Sequence, residues 1–221
     1  HVSCTSNFNS RGEIKFSPDG HKLAFNGNGI GQNDPSNILA LFDFDNATGI
    51  VSNPLNLPFS RGEWGLSFSP DNTKLYGATW KAFSFGLADS NYLYQFDLSS
   101  GDSAIIINSK TIISARSVSE AFGDLKLGPD GRIYVAGNAA QYLGVINYPD
   151  LPGAACDYVA NGFYLGGGQS RFGLNNYIEY SSYCDVTGIP NDQEFKRSAK
   201  LYPNPMDVRS VLSFSNPYQS V

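Results

Sequence analysis

Charge is scarce in this chain. Charged residues are 16% of its 221 positions, well below the usual quarter. With Gly, Asn, Ser and aromatics plentiful, that composition argues against a helical bundle and for short strands joined by many turns. No window carries a long helical spacing of apolar residues. The net charge is −5, the wrong sign for holding a phosphate backbone, so nucleic acid is disfavoured as a partner. Nowhere do 18 apolar residues run together, so no membrane span is expected. Histidine and cysteine are also few: two His, and Cys4, Cys156 and Cys184, with no Cys-x-x-Cys pair. A zinc site of the Cys/His type is therefore not expected. Nor is a Ser-His-Asp or Cys-His catalytic set, because His1 is terminal and His21 sits in a Pro-Asp-Gly-His turn. Cys156 and Cys184 are a candidate disulfide in an extracellular setting, with free thiols as the alternative. The chain begins at His1 without a recognisable leader and reads as a fragment or a processed chain; this says nothing about compartment.

What is present is repetition. Phe16-Ser17-Pro18-Asp19-Gly20-His21-Lys22-Leu23-Ala24-Phe25 returns as Phe68-Ser69-Pro70-Asp71-Asn72-Thr73-Lys74-Leu75-Tyr76-Gly77, 52 positions on. A looser copy runs from Leu127 through Pro129-Asp130-Gly131 to Ala136. Asn37 to Gly49 matches Asn91 to Gly101, with 27 positions from Pro18 to Asp45 and again from Pro70 to Asp97. Each unit reads as strand, Pro-Asp-Gly turn, strand, a third strand ending Phe-Asp, a Gly turn and a fourth strand. Ile50 to Leu57 and Ser103 to Ile113 supply the fourth strands. Four antiparallel strands every 40 to 60 residues mark β-propeller blades.

The fold class expected is all-β: a partial propeller of about three four-stranded blades over 11–58, 61–115 and 116–168. Ser170 to Ile178 adds a closing strand, and further blades are expected upstream of His1. Residues 1–184 thus form the C-terminal blades of a propeller. Residues 185–199 are polar and unpatterned and read as a linker. Residues 200–221 read as the truncated start of a further β domain.

The Phe-Ser-Pro-Asp-Gly-x-x-Leu-Ala-Phe motif resembles the WD40-like Pro-Asp repeat (PD40) of TolB-type propellers. The stretch from Leu151 to Ile178 looks like the last blade of large secreted propellers of Bacteroidetes-type bacteria. Leu201-Tyr202-Pro203-Asn204-Pro205 is similar to the start of the C-terminal sorting domain of the type IX secretion system. That resemblance implies a small β-sandwich, with Tyr202, Pro203, Asn204 and Pro205 as the sorting signal. It also implies the type IX machinery as a partner and an extracellular or outer-membrane-surface location. Asp102-Ser103-Ala104 resembles the O-glycosylation acceptor of exported proteins in this bacterial group, with Ser103 as the acceptor.

Four acidic residues are candidates for a ring at the mouth of a propeller channel: Glu13, Glu63, Glu120 and Asp124. Arg11-Gly12-Glu13 and Arg61-Gly62-Glu63 both precede an inner strand. Such a ring can hold Ca²⁺; otherwise these residues form structural ion pairs between blades. No other cofactor is expected. Asp43-Phe44-Asp45-Asn46 lacks the Gly and distal Glu of an EF-hand loop and reads as a turn cap. Gly166-Gly167-Gly168-Gln169-Ser170 lacks the Gly-Lys-Ser/Thr of a phosphate loop and reads as a turn. The leading expectation is a secreted or cell-surface propeller acting as a non-catalytic binding module for a protein or glycan. The alternative is a propeller hydrolase or lactonase with a channel metal held by Glu13, Glu63 and Asp124.

Overall fold

The computed structural model describes residues 12–27, 38–58, 63–79, 90–117 and 120–174, and the backbone of 199–202 and 211–214. The chain divides into two compact units, His1–Tyr183 and Cys184–Val221. In the first unit three four-stranded antiparallel sheets follow one another. Sheet 1 holds β1 (Ile14–Phe16), β2 (Lys22–Gly27), β3 (Ile38–Asp45) and β4 (Ile50–Asn56). Sheet 2 holds β5 (Glu63–Phe68), β6 (Lys74–Thr79), β7 (Asn91–Asp97) and β8 (Thr111–Arg116). Sheet 3 holds β9 (Phe122–Leu127), β10 (Ile133–Gly137), β11 (Tyr142–Ile146) and β12 (Tyr158–Tyr164). Each is a meander whose strand order follows the chain.

The sheets stack face to face. Ala24, Leu39 and Leu41 of sheet 1 pack on Leu66, Phe68, Leu75 and Phe96 of sheet 2. Tyr76, Ala78 and Leu93, on the other face of sheet 2, pack on Leu125, Leu127, Ile133 and Ile146 of sheet 3. Each Leu, Ile or Phe among them contributes about 1.5–3 kcal/mol by leaving water. A sheet packed on both faces needs apolar residues at successive positions, so β6 is buried at all six of its residues. The first strands gather along one side, β1 beside β5 and β5 beside β9. Successive four-stranded meanders stacked in this way are blades of a β-propeller.

The Pro-Asp turns are built alike. Ser17 Oγ donates to Asp19 Oδ1 at 2.5 Å, and the His21 amide donates to the same oxygen at 3.0 Å. Ser69 and Asp71 repeat the first bond at 2.7 Å, and the Thr73 amide repeats the second at 2.9 Å. The residue after Asp has positive φ in all three turns: 71° at Gly20, 66° at Asn72 and 76° at Gly131.

Two expectations are corrected. Ser103 to Ile113 is not one strand: α1 (Ser103–Asn108) precedes β8. The Ile-rich run favours strand locally, but Asp102 caps the helix, accepting from the amides of Ala104 and Ile105. Ile106 then anchors it in the core between sheets 1 and 2. The equal 27-position spacing also misaligns the third strands. Lys22 stands opposite Asp43, whereas Lys74 stands opposite Asp97. Asp97 binds Lys74 and also caps its turn through Ser99. In sheet 1 these tasks are divided: Asp43 binds Lys22 at 2.5 Å, and Asp45 caps the turn through Ala47 and Thr48.

The second unit contains one described hairpin, β13 (Ala199–Tyr202) with β14 (Val211–Phe214), placing Leu201 opposite Leu212 and Tyr202 opposite Val211. Pro203, Asn204, Pro205, Cys4, Cys184, linker residues 185–198 and closing-strand residues 175–178 lie outside the described residues.

Candidate functional site

The first strands bring together an acidic pair that lies far apart in the chain. Counting back three residues from Phe16, Phe68 and Leu127, which hold one position of the repeat, Glu13, Gly65 and Asp124 correspond in the three blades. Glu63 is two residues earlier, and the register of β5 on β6 slips between Glu63 and Gly65. The shared Arg-Gly-Glu triplet therefore misleads: the structural counterpart of Glu13 is Gly65.

That glycine makes the site. A Cβ on Gly65 would lie 2.4 Å from the Gly123 carbonyl oxygen and 2.9 Å from the Leu125 amide nitrogen. Only a bare backbone allows β5 to approach β9 so closely. With no side chain on the middle blade, Glu13 and Asp124 approach one another across it, close enough for Asp124 to raise the proton affinity of Glu13 and for Lys15 to reach both.

The pair is held from several sides. Glu13 Oε2 accepts the Leu66 amide at 2.9 Å. Lys15 Nζ is 3.4 Å from Asp124 Oδ1, 3.3 Å from the Leu125 carbonyl and 4.0 Å from Glu13 Oε2. Asp124 Oδ2 accepts the Leu174 amide at 3.2 Å, while the Asp124 amide donates to the Phe172 carbonyl at 2.6 Å. Trp64 rests on Phe172, ring centres 5.3 Å apart. Fully buried Asn26 accepts the Glu13 amide at 2.6 Å and donates to the Trp64 carbonyl at 3.2 Å.

Burial, together with the neighbouring Asp124 carboxyl, pushes the Glu13 carboxyl up to about 8, with Lys15 opposing. Near neutral pH Glu13 therefore keeps its proton, with the Lys15 ammonium beside both carboxyls. Lys15, Gly65 and Asn26 are members of this cluster that motif reading missed. The offset of 52 between Pro18 and Pro70, carried back to Glu13, would have found Gly65. Nothing local marks Lys15.

Glu120 and Ser103 stand apart from this cluster. Glu120 is exposed, accepts from Ser117 Oγ at 3.4 Å, and offers its backbone carbonyl to Asn91. Glu63 opens β5; its side chain lies outside the described residues. Ser103 is exposed at the first position of α1. Cys156 is a fully buried thiol without a disulfide partner among the described residues, its proton affinity raised by burial. Gly166 and Gly167 adopt positive φ in the turn after β12. Among the described residues, no three His, Cys, Asp or Glu gather closely enough to hold a metal ion. Nor is any helix long and apolar enough to cross a membrane.

The chain matches no family model and no curated protein. Among solved structures it resembles Kuenenia stuttgartiensis hydrazine synthase with TM-score 0.40 and 14% identity, over 60% of this chain and 38% of that one. It resembles a gluconolactonase from Xanthomonas campestris with TM-score 0.40 and 14% identity, over 72% and 48%. A luciferin-regenerating enzyme gives TM-score 0.38 and 18% identity, over 69% and 47%. The chain spans less than half the length of each. The blade assignment stands on the three sheets and their stacking.

Proposed function

We propose that this chain belongs to a secreted or cell-surface β-propeller of the Pro-Asp repeat type that serves as a non-catalytic binding module for a protein or glycan. We further propose that it is exported by a type IX-like route of Bacteroidetes-type bacteria. The observation that carries the non-catalytic reading is the state of the Glu13 and Asp124 carboxyls. Lys15 lies against both carboxyls, the Leu66 amide donates to Glu13 and the Leu174 amide donates to Asp124. A metal-dependent hydrolase needs carboxylate oxygens open to the ion; here an ion would have to displace the Lys15 ammonium and two backbone amides. The export reading is supported by Tyr202-Pro203-Asn204-Pro205 following a polar linker. In this reading residues 1–184 are propeller, 185–199 linker and 200–221 the start of a sorting domain whose partner is the secretion machinery. Exposed Ser103, following a helix-capping Asp, is the proposed glycan acceptor, and Cys156–Cys184 remains the proposed pairing once the protein is exported.

The test is the intact mass of the native protein from the surface or medium of the producing cell. A chain ending before Lys200, with added glycan on the Ser103 peptide, supports the proposal. A cytoplasmic protein retaining Lys200 onward refutes the export reading. The binding reading fails if Ca²⁺ raises the melting temperature of the natural protein and Glu63→Gln or Asp124→Asn abolishes that rise; the lactonase reading then takes its place.

A further inference from the structure

Burial between sheets 2 and 3 runs out toward the Tyr142 end of β11. Deeper in, Leu93, Ile133 and Ile146 seal the interface completely. On β11, Ile146 belongs to this core, and a Cβ on Gly144 would lie 2.6 Å from the hydroxyl of Tyr158, which packs against the same core. Ile146 and Gly144 therefore face sheet 2, and the period of two puts Tyr142 on the same face. Tyr164 pairs with Tyr142 across β11 and β12, and their rings are 5.0 Å apart, tilted by 43°. Both rings are open to water, Tyr142 at 39% and Tyr164 at 54% exposure. Both walls of this corner belong to the described chain.

The opposite wall is β8, which ends in the half-buried Arg116. Its guanidinium lies 4.4 Å from the centre of the Phe122 ring and donates to the Tyr158 hydroxyl at 2.8 Å. Gly137 borders it with bare backbone: a Cβ there would lie 3.5 Å from Nη1. A guanidinium has five N–H donors, and among the described residues no carboxylate pairs with this one. Glu120 turns its carboxylate to Ser117 Oγ instead. A cation fixed in place by a ring and a hydroxyl, but without a counter-charge, is set to receive an anion in two parallel bonds. Gly144 links the two walls. Tyr158 meets Arg116 over Gly144, and Tyr142 stands two residues further along the strand, a step of about 7 Å.

We propose that this corner between sheets 2 and 3 binds a carbohydrate bearing a carboxylate, a uronic acid residue of a glycan: Arg116 takes the carboxylate, and Tyr142 and Tyr164 stack on the sugar ring. The proposal rests on the reading of the chain as a binding module and names the class of its ligand. The two-residue step from Gly144 to Tyr142 is about the span of a pyranose ring with its carboxylate. Tyrosine rings present an apolar face to sugar C–H groups and a hydroxyl to sugar hydroxyls. Residues 158–170, which carry Tyr164 and the turn after it, include no charged residue. That favours a ligand whose remaining groups are neutral hydroxyls over an acidic peptide.

The test runs the natural polypeptide from its complete reading frame in native gels cast with polygalacturonate, alginate or hyaluronan. Methyl-esterified polygalacturonate is the uncharged control and poly-glutamate the peptide control. The proposal expects at least one carboxylated polysaccharide to retard the protein, and neither control to do so. Arg116→Gln is expected to weaken that affinity about 10–100-fold, as loss of a charged hydrogen-bonding group does. Tyr142→Ala and Tyr164→Ala are expected to weaken it severalfold. Tyr148→Ala, 59% exposed just past the other end of β11, is expected to leave it unchanged. Should Arg116→Gln fail to fold, Tyr164→Ala, at a surface position, carries the test. Retardation that survives Arg116→Gln or Tyr164→Ala overturns this site and leaves the binding-module reading standing. Equal retardation by poly-glutamate overturns the carbohydrate assignment in favour of an acidic peptide. No retardation by any of the three polysaccharides overturns the proposal, while the Ca²⁺ melting test decides the binding-module reading separately.

Discussion

Gly20, Asn72 and Gly131 show how much a single backbone angle decides. Each holds positive φ after a Pro-Asp pair, where a Cβ meets the carbonyl that follows it. Asn is the side-chain-bearing residue best suited there, and Asn72 gains an added bond, accepting the Asp19 amide at 3.0 Å. A Cβ on Gly131 would meet nothing closer than 3.9 Å, so Gly131→Ala isolates the backbone cost. Urea unfolding is expected to show a loss of about 1–2 kcal/mol; an unchanged midpoint would remove the conformational argument. Glu13 sets a pH dependence. Its carboxyl moves from an ordinary 4.5 to about 8 in the fold. Between those values the unfolded chain has released this proton and the folded chain has kept it. The folded state binds more protons, so the Glu13 contribution to stability is fully present below about pH 4.5, falls as pH rises and levels off above about 8. Glu13→Gln keeps a neutral donor and acceptor without the titration. Urea midpoints at about pH 5 and about pH 8 are expected to diverge in favour of the variant; parallel losses in both proteins would disprove the assignment.

At the scale of the element, β5 and α1 each depend on one residue that a propensity scale would undervalue. Gly65 lacks strand propensity, yet its bareness lets β5 lie against β9 and lets Glu13 meet Asp124. Gly65→Ala drives a Cβ into the Gly123 carbonyl and the Leu125 amide, which are backbone and cannot swing away. Overpacking of this kind costs about 1–3 kcal/mol, read as a lower melting temperature; the Gly131→Ala variant, with open space around it, serves as the comparison. Asp102 converts an Ile-rich strand-forming run into a helix by accepting two amides. Asp102→Ala is expected to cost about 0.5–2 kcal/mol. Asp102→Asn should retain most of that stability, since the carboxamide also caps. Equal losses in both would show that charge, rather than the cap, is what matters.

Across the whole molecule, stability lies in how blades are joined. Tyr76 of sheet 2 donates its hydroxyl to the Pro149 carbonyl at 2.8 Å and accepts from the Gln95 amide at 2.6 Å. Gln95 in turn donates to the Leu151 carbonyl and accepts the Gly153 amide. The loop after β11 is thus tied to the neighbouring blade by polar bonds out of water, which are costly to leave unmade. The phenol proton is held well above its usual range, first by burial. Tyr76→Phe leaves the Pro149 carbonyl without this donor and should cost about 1–3 kcal/mol. If the blades unfold as one unit, the urea slope stays unchanged; two separated transitions would show that the sheets melt independently.

The amino-acid sequence by itself determined the blades. Proline's fixed φ and glycine's access to positive φ act locally, so Pro18-Asp19-Gly20, Pro70-Asp71-Asn72 and Pro129-Asp130-Gly131 locate their hairpins wherever the rest of the chain goes. Both-sided burial then dictates the apolar content of β6, β7 and β9, which is also legible along the chain. Register and partners were decided only by tertiary structure. A two-residue difference in pairing moves the partner of the β2 lysine from Asp45 to Asp43, and both alignments preserve the same alternation of faces, so pattern cannot separate them. Lys15 and Asp124 are 109 positions apart. Their meeting depends on three sheets stacking with a glycine between them, a matter of space rather than of any local preference. The helix at Ser103 belongs to the same class: one cap and one buried isoleucine outweigh the β preference of the run around them.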